Sequence, residues 1–337
     1  MPSKNITILK NLNVGITKFP GDISLNYDNP PKLVMTLTKE AAGFRKKGKD
    51  YYINMQNDSA CFEAWCLIIK AKTSNPGLKI ELDVDGITVA SYPSGKPVNG
   101  HLGRFLYRIL KFSEQYKQWF ELSPALEEIK KNFKNYLDTN KFETNAPLNE
   151  AETDLDKLLN KGLESYVEQL LVDTGSYKTK ILKLSSASAI VGRQLPVGLF
   201  VGTKAKDHVV FTGGTSAADF WAVDGDSINI YELKSKNPMV GIITEIFFYS
   251  NYVCDVFIEK GNKMNSHKSK KYYRNYDTIK GKKVQGIMLS NSDGWHPSLD
   301  ESTRRNITNI MNSNGAAGII QYVFFEYNFK MSITVTP

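Results

Sequence analysis

Histidine is nearly absent from this chain, with 4 residues in 337 and no His-x-x-x-His or Glu-x-x-His spacing. That removes zinc hydrolases built on paired histidines, and leaves His296, in Asp293-Gly-Trp-His296-Pro, without a metal partner. Cysteine is scarce as well. Cys61, Cys66 and Cys254 are too few and too scattered for a zinc cluster or a disulfide framework, and they suit a reducing compartment. No Gly-x-x-x-x-Gly-Lys-Ser/Thr loop is present, so ATP hydrolysis is not expected, and no Gly-x-Ser-x-Gly elbow supports a serine hydrolase. Met1 to Lys10 has charge but no apolar run of signal-peptide length. No stretch reaches the roughly eighteen apolar residues of a membrane span. The expectation is a soluble cytoplasmic protein with no membrane partner.

What the chain does have is length and positive charge. At 337 residues it can bury a proper core and is expected to hold two domains. Its net charge is +8 and its pI about 9.1, which favours an anionic partner.

The chain divides near 140–150. Residues 1–140 read as a β-rich domain with two helices. Short strands are expected at Ile6 to Leu9, Lys32 to Leu37, Tyr51 to Met55, Ala64 to Ala71 and Ile80 to Ala90, with Asp85-Gly86 as a hairpin turn. His101 to Phe120 carries a helical apolar stripe. Ser123-Pro124 opens a second helix, running to about Leu137. Thr139 to Leu148 is polar and suits a linker. Asn149 then caps an acidic first turn containing Glu150, Glu152 and Asp154, which opens the second domain, 141–337.

That second domain contains the most informative segment, Asp219-Phe-Trp-Ala-Val-Asp-Gly-Asp-Ser-Ile-Asn-Ile-Tyr-Glu232-Leu-Lys234. Two apolar runs flank Asp224-Gly225-Asp226, a strong hairpin signal. Glu232 and Lys234 point to one face of their strand. With Gly225-Asp226 as the turn, Asp219 lies directly opposite Glu232; with Asp224-Gly225, it lies one diagonal step away on the same face. Either register gathers two carboxylates and a lysine. Carboxylates this close repel unless a cation sits between them, and Mg²⁺ is commonly held by one or two carboxylates plus substrate phosphate. Asp219 and Glu232 are therefore candidate metal ligands, and Lys234 can orient a water or stabilise developing charge. The competing reading is a surface ion pair between Glu232 and Lys234.

Asp219 followed by Glu232-Leu233-Lys234 after a short hairpin resembles the PD-(D/E)XK nuclease superfamily, which includes restriction endonucleases and repair nucleases. The resemblance covers about 150–290. The family order of helix, antiparallel hairpin, helix and strand is matched by a helix-like segment at roughly 150–172, the hairpin, an apolar helix over Met239 to Val253, and a buried strand over Val284 to Leu289. The chain departs from the motif in having Ala218, not proline, before Asp219. The resemblance implies a mixed α/β fold with a restriction endonuclease-like core, a central mixed sheet flanked by helices. It also implies a first-helix glutamate that completes the metal site. Glu164 is favoured for that place, and Glu168, at i+4 on the same face, is the alternative. Glu245 and Tyr249 have the Gln-x-x-x-Tyr spacing of the family's exonuclease branch, with Glu in place of Gln.

Basic residues surround this core. The stretch 260–283 holds Lys268, Lys270, Lys271 and Arg274, with Tyr272 among them, a composition suited to phosphates and bases. Lys204 and Lys206 precede the hairpin, followed by Gly213-Gly214. Arg45-Lys46-Lys47-Gly48-Lys49 reads as a solvated loop, and Arg104 and Arg108 as a basic ridge on the first long helix. The expected activity is Mg²⁺-dependent DNA endonuclease cleavage, with Mn²⁺ able to substitute and a homodimer making two cuts. The alternatives are a repair or recombination nuclease acting on ends or branches, and a non-catalytic DNA-binding subunit of a defence complex.

Overall fold

The structure, a computed structural model, describes residues 4–48, 51–92, 96–144, 154–155, 157–158, 163–212, 216–235, 238–258, 283–313, 316 and 318–327. In the first half these form helix α1 (Lys4–Asn11), strands β1 (Ile23–Asn29) and β2 (Lys32–Leu37), helix α2 (Phe62–Lys72), strand β3 (Lys79–Val84), helix α3 (Gly100–Gln115), strand β4 (Phe120–Leu122) and helix α4 (Pro124–Thr139). The sheet order is β1-β2-β3-β4. β1 runs antiparallel to β2, and β2, β3 and β4 run parallel to one another. Parallel neighbours need long crossovers, and α2 and α3 supply them.

This half is richer in helix than the sequence suggests. Ile6 to Leu9 lies in α1, and Ala64 to Ala71 lies in α2. The apolar run misleads because α2 is buried without a break from Phe62 to Ile69. A helix covered on every side loses the periodicity that separates it from a buried strand. Tyr51 to Met55 forms only an isolated bridge, Lys47 with Tyr51. Gly86 does take a left-handed turn conformation, but β3 leads on into a 3-10 turn at Val89–Ser91 and not into a hairpin partner. The two long helices start where expected. The Asn99 side chain accepts from the His101 and Leu102 N–H groups to cap α3, and Pro124 opens α4 after Ser123.

The second half contains β5 (Phe142–Thr144), α5 (Leu163–Asp173), α6 (Gly175–Lys180), β6 (Ile190–Pro196), β7 (Leu199–Val201), β8 (Val209–Phe211), β9 (Ala217–Asp224), β10 (Ser227–Lys234), α7 (Gly241–Val253), β11 (Lys283–Asn291), α8 (Glu301–Asn312) and β12 (Ile320–Tyr327). The main sheet has the order β12-β11-β10-β9-β6, and β5, β7 and β8 make a small antiparallel sheet. β10, β11 and β12 are parallel, with α7 and α8 as crossovers, while β9 is antiparallel to both β10 and β6. The protein is thus mixed α/β.

β10 is the central strand, and its residues from Ile228 to Lys234 are all buried. Tyr231 and Leu233 pack with Phe220 of β9 and with Val167 and Leu171 of α5. Ile228 and Ile230, on the opposite face, join a core that extends through α7 into the first half. The Phe112 and Phe247 rings, on α3 and α7, meet at 5.4 Å. The segment 241–258 is long and apolar enough to match a membrane span, contrary to the expectation from sequence, and it is wholly buried inside the protein. Its apolarity is that of a core helix. All three cysteines are buried free thiols.

Gly103 lets α3 lie directly on β8, because a Cβ there would collide with the Val210 carbonyl oxygen. Backbone cannot give way cheaply in a packed core. Gly103→Ala is expected to lower stability by about 1–3 kcal/mol, read as a fall in the urea midpoint at unchanged slope.

Candidate functional site

Pairing of Ser227 with Asp224 through Tyr231 with Phe220 sets Gly225-Asp226 as the turn, with Gly225 in the left-handed conformation that such a turn demands. One more step in this register puts Asp219 opposite Glu232, the first of the two alternatives. There Asp219 Oδ2 accepts the Leu233 N–H at 2.7 Å. A side chain thus takes over the strand's hydrogen bond where the ladder ends.

Lys234 Nζ donates to Glu232 Oε1 at 2.7 Å and stands 3.1 Å from Glu245 Oε2 and 3.9 Å from Glu164 Oε1. Glu232, Lys234 and Glu245 are 3%, 6% and 5% exposed. The Glu232–Lys234 pair is therefore real but buried, which excludes the surface ion-pair reading. Four carboxylates, from Asp219, Glu232, Glu245 and Glu164, crowd around one ammonium.

Glu168 is engaged elsewhere. Arg193 Nη2 and Gln194 Nε2 donate to its Oε2 at 3.0 and 3.1 Å, so Glu164 is the first-helix glutamate that faces Lys234. Gln194 adopts a left-handed backbone at φ 53°, between the β6–β9 pairs Arg193–Phe220 and Leu195–Ala218. That conformation is uncommon outside glycine. It places Gln194 in the strand position opposite Asp219, and nothing in the sequence signals it.

The electrostatics follow from burial. Burial pushes the Asp219 and Glu232 carboxyls well above their usual range; Glu168 adds to this for Asp219, and Asp219 and Glu245 for Glu232. Burial also raises Glu164, against the pull of Lys234. Burial alone would lower Lys234, but Glu232, Glu245 and Asp219 together hold it well above its usual value. Lys234 is therefore an ammonium at neutral pH. It can orient a water or bind a developing negative charge, but it is no base.

The group that fits this surplus of negative charge is a hard divalent cation. Among the described residues Glu232 Oε2 is buried with no hydrogen-bond partner, and so is Glu245 Oε2. Among the described residues no cluster of three or more His, Cys, Asp or Glu closes a metal cage. Asp219 and Glu232 match the open type of site, in which water and substrate phosphate complete a Mg²⁺ shell.

These residues floor a cleft of about 1080 Å³. Glu164, Glu232, Glu245 and Tyr249 line it, as do Lys96, His101 and Arg104 from the first half of the chain, and Lys206. Lys206 is thus part of the cleft lining, whereas Lys204 is exposed and outside it. Lys268, Lys270, Lys271, Tyr272 and Arg274 lie outside the described residues, as do Gly213 and Gly214. Arg104 and Arg108 do not form a surface ridge. Both are buried, Arg108 against Glu63 and Arg104 facing the cleft. In the basic run, Arg45 pairs with Glu40 and Lys47 with Asp22.

No protein-family model, curated protein or solved structure matches the chain.

Proposed function

We propose that the chain is a Mg²⁺-dependent deoxyribonuclease with a restriction endonuclease-like core of the PD-(D/E)XK type. The observation that carries this reading is the buried Asp219–Glu232–Lys234 constellation, with a Glu232 oxygen unpartnered among the described residues, in a cleft that Lys96, Arg104 and Lys206 also line. Asp219 and Glu232 hold the cation, and Mn²⁺ substitutes for it. Glu164 supports the site from α5. When bound, the cation supplies an acidified water and charge neutralisation at the phosphate. Lys234 keeps its proton, orients the attacking water and stabilises charge on the phosphate oxygens. Water oxygen bonds to phosphorus as the P–O3′ bond breaks; one water proton passes through solvent to the leaving O3′ and the other is released to solvent, leaving a 3′-hydroxyl and a 5′-phosphate. In the restriction-enzyme form of this reading a cytoplasmic homodimer makes the two cuts.

A second reading, a repair or recombination nuclease acting on ends or branches, is favoured by Glu245 and Tyr249. Both line the cleft, and Glu245 reaches Lys234.

Circular and linear duplex DNA, each incubated with Mg²⁺, Mn²⁺ or EDTA, test both. Metal-dependent cutting that disappears in Glu232→Ala and Lys234→Ala supports the nuclease reading; discrete bands favour the restriction form and degradation of linear DNA alone favours end processing. No cutting with either metal counts against an unaided enzyme.

A further inference from the structure

Arg104 is a buried cation with no ion-pair partner among the described residues. One helical turn along α3, Arg108 shows what a satisfied guanidinium looks like in this core. Its Nε and Nη2 donate to Glu63, and Nη2 also donates to the Ala60 carbonyl. Arg104 is only 8% exposed, yet no carboxylate among the described residues pairs with it, and its Nε has no hydrogen-bond partner. Its one side-chain bond runs from Nη2 to His101 Nδ1 at 2.8 Å. Burial, together with the Arg104 charge, pushes His101 down to about 4, so the ring is neutral at pH 7 and Nδ1 accepts. The pair therefore carries one positive charge. Burial lowers Arg104 itself only to about 10, and it stays a cation. A buried charge left unpaired is costly, and Glu245, the acid that influences it from the cleft, is already held by Lys234.

The arrangement points outward to an anion, and its surroundings say which kind. Arg104 and His101 line the same cleft as Asp219 and Glu232. The Tyr52 ring stacks on His101 at 4.9 Å and 20°, and Lys46 Nζ lies 5.9 Å from the Tyr52 ring centre. Tyr51 beside it is 59% exposed. Guanidinium, imidazole, phenol and ammonium thus follow one another away from the cleft. The Tyr52 ring is taken up by His101 and Lys46, but the exposed Tyr51 ring offers a face on which a base of a nucleotide strand can stack, which a free phosphate ion would not use.

We propose that Arg104, braced by His101, binds a backbone phosphate of the nucleic-acid strand, a phosphate other than the one at Asp219 and Glu232, and that the strand leaves the cleft along Tyr52 and Lys46. The identity of the ligand rests on the nuclease reading of the cleft; the anion site itself does not.

The test is fluorescence anisotropy of a labelled single-stranded oligonucleotide with the full chain in Ca²⁺, across a salt series, for wild type, Arg104→Gln and Arg104→Lys. Melting temperatures of the free proteins are measured alongside. We expect Arg104→Gln to weaken binding at least about tenfold and to reduce the slope of log K against log salt by about one. Arg104→Lys, which keeps the charge and loses the fork, should fall between. The free Arg104→Gln protein should melt no lower than wild type, because an uncompensated buried charge has been removed. Binding within twofold of wild type overturns the proposal, and so does a loss of binding accompanied by a lowered melting temperature, the signature of a structural arginine. Inorganic phosphate that raises the wild-type melting temperature as much as the oligonucleotide does overturns the assignment to a strand. A wild-type protein that cuts DNA with neither metal, while Arg104→Gln still weakens binding, would sink the nuclease reading alone, whereas metal-dependent cleavage lost in Asp219→Asn with unimpaired binding by Arg104→Gln would sink the phosphate site alone.

Discussion

Asp219→Asn should abolish metal-dependent cleavage and, without metal, make the protein more stable. The loss of activity is expected to be at least about a thousandfold, since the proposed ligand carboxylate is gone and the charge stabilisation it would support goes with it. The gain in stability has a separate origin. Asparagine is the same size, and its Oδ1 can still accept the Leu233 N–H that Asp219 Oδ2 now accepts at 2.7 Å. What disappears is one negative charge from a cluster in which burial and neighbouring acids already raise Asp219 and Glu232 well above the usual carboxylate range. The sign follows from linkage. Raised carboxyls bind protons more tightly in the folded state, so the folded chain holds more protons than the unfolded one, and stability falls as pH climbs above about 4, the unfolded value. In EDTA the melting temperature of Asp219→Asn should exceed that of wild type by roughly 2 °C or more at pH 8, with the gap closing toward pH 5. A variant that melts lower than wild type at every pH would show that the carboxylate is structural.

Glu63→Gln should be among the most damaging single changes to stability. Arg108 Nε and Nη2 donate to the two Glu63 oxygens at 2.6 and 2.5 Å, and Thr244 of α7 donates to the same carboxylate at 3.1 Å. Arg108 is 2% exposed and Glu63 not at all. Neutralising Glu63 strands a guanidinium in the core, with an expected cost of about 3–5 kcal/mol, whereas replacing both partners with apolar residues of similar volume should cost far less. Urea unfolding of Glu63→Gln and of the double variant Glu63→Leu/Arg108→Met measures this directly. The pair clamps α2, α3 and α7 together, and α7 carries Glu245 and Tyr249 into the cleft. A loss well below 1 kcal/mol in Glu63→Gln would mean the clamp is not needed.

Arg108 and Arg104 also mark where sequence reading ends. Their i,i+4 spacing on a helix was legible, but which face of that helix is buried depends on α2 and α7, whose positions are set by contacts far apart in sequence. The hairpin was legible because its signals are local: alternating apolar residues, a turn glycine, and Asp219, Glu232 and Lys234 on one face. Its register stayed open between two turns until the Ser227–Asp224 pairing fixed it. Helices α3, α4 and α7 announced themselves by caps, stripes or length. α2 did not, because complete burial erases periodicity. The choice between Glu164 and Glu168 needed Arg193 and Gln194, which approach from β6. The cationic side of the cleft needed the two halves brought together. Gln194 needed a backbone angle that no local pattern encodes.

Binding of Mn²⁺ to the full chain at pH 7.5, followed by electron paramagnetic resonance of the free ion, decides whether Asp219 and Glu232 hold a divalent cation. A saturable site is expected, which Asp219→Asn and Glu232→Gln each remove and which Glu168→Gln, at a carboxylate held by Arg193, leaves in place. No site in wild type, or equal binding by all three variants, would contradict it.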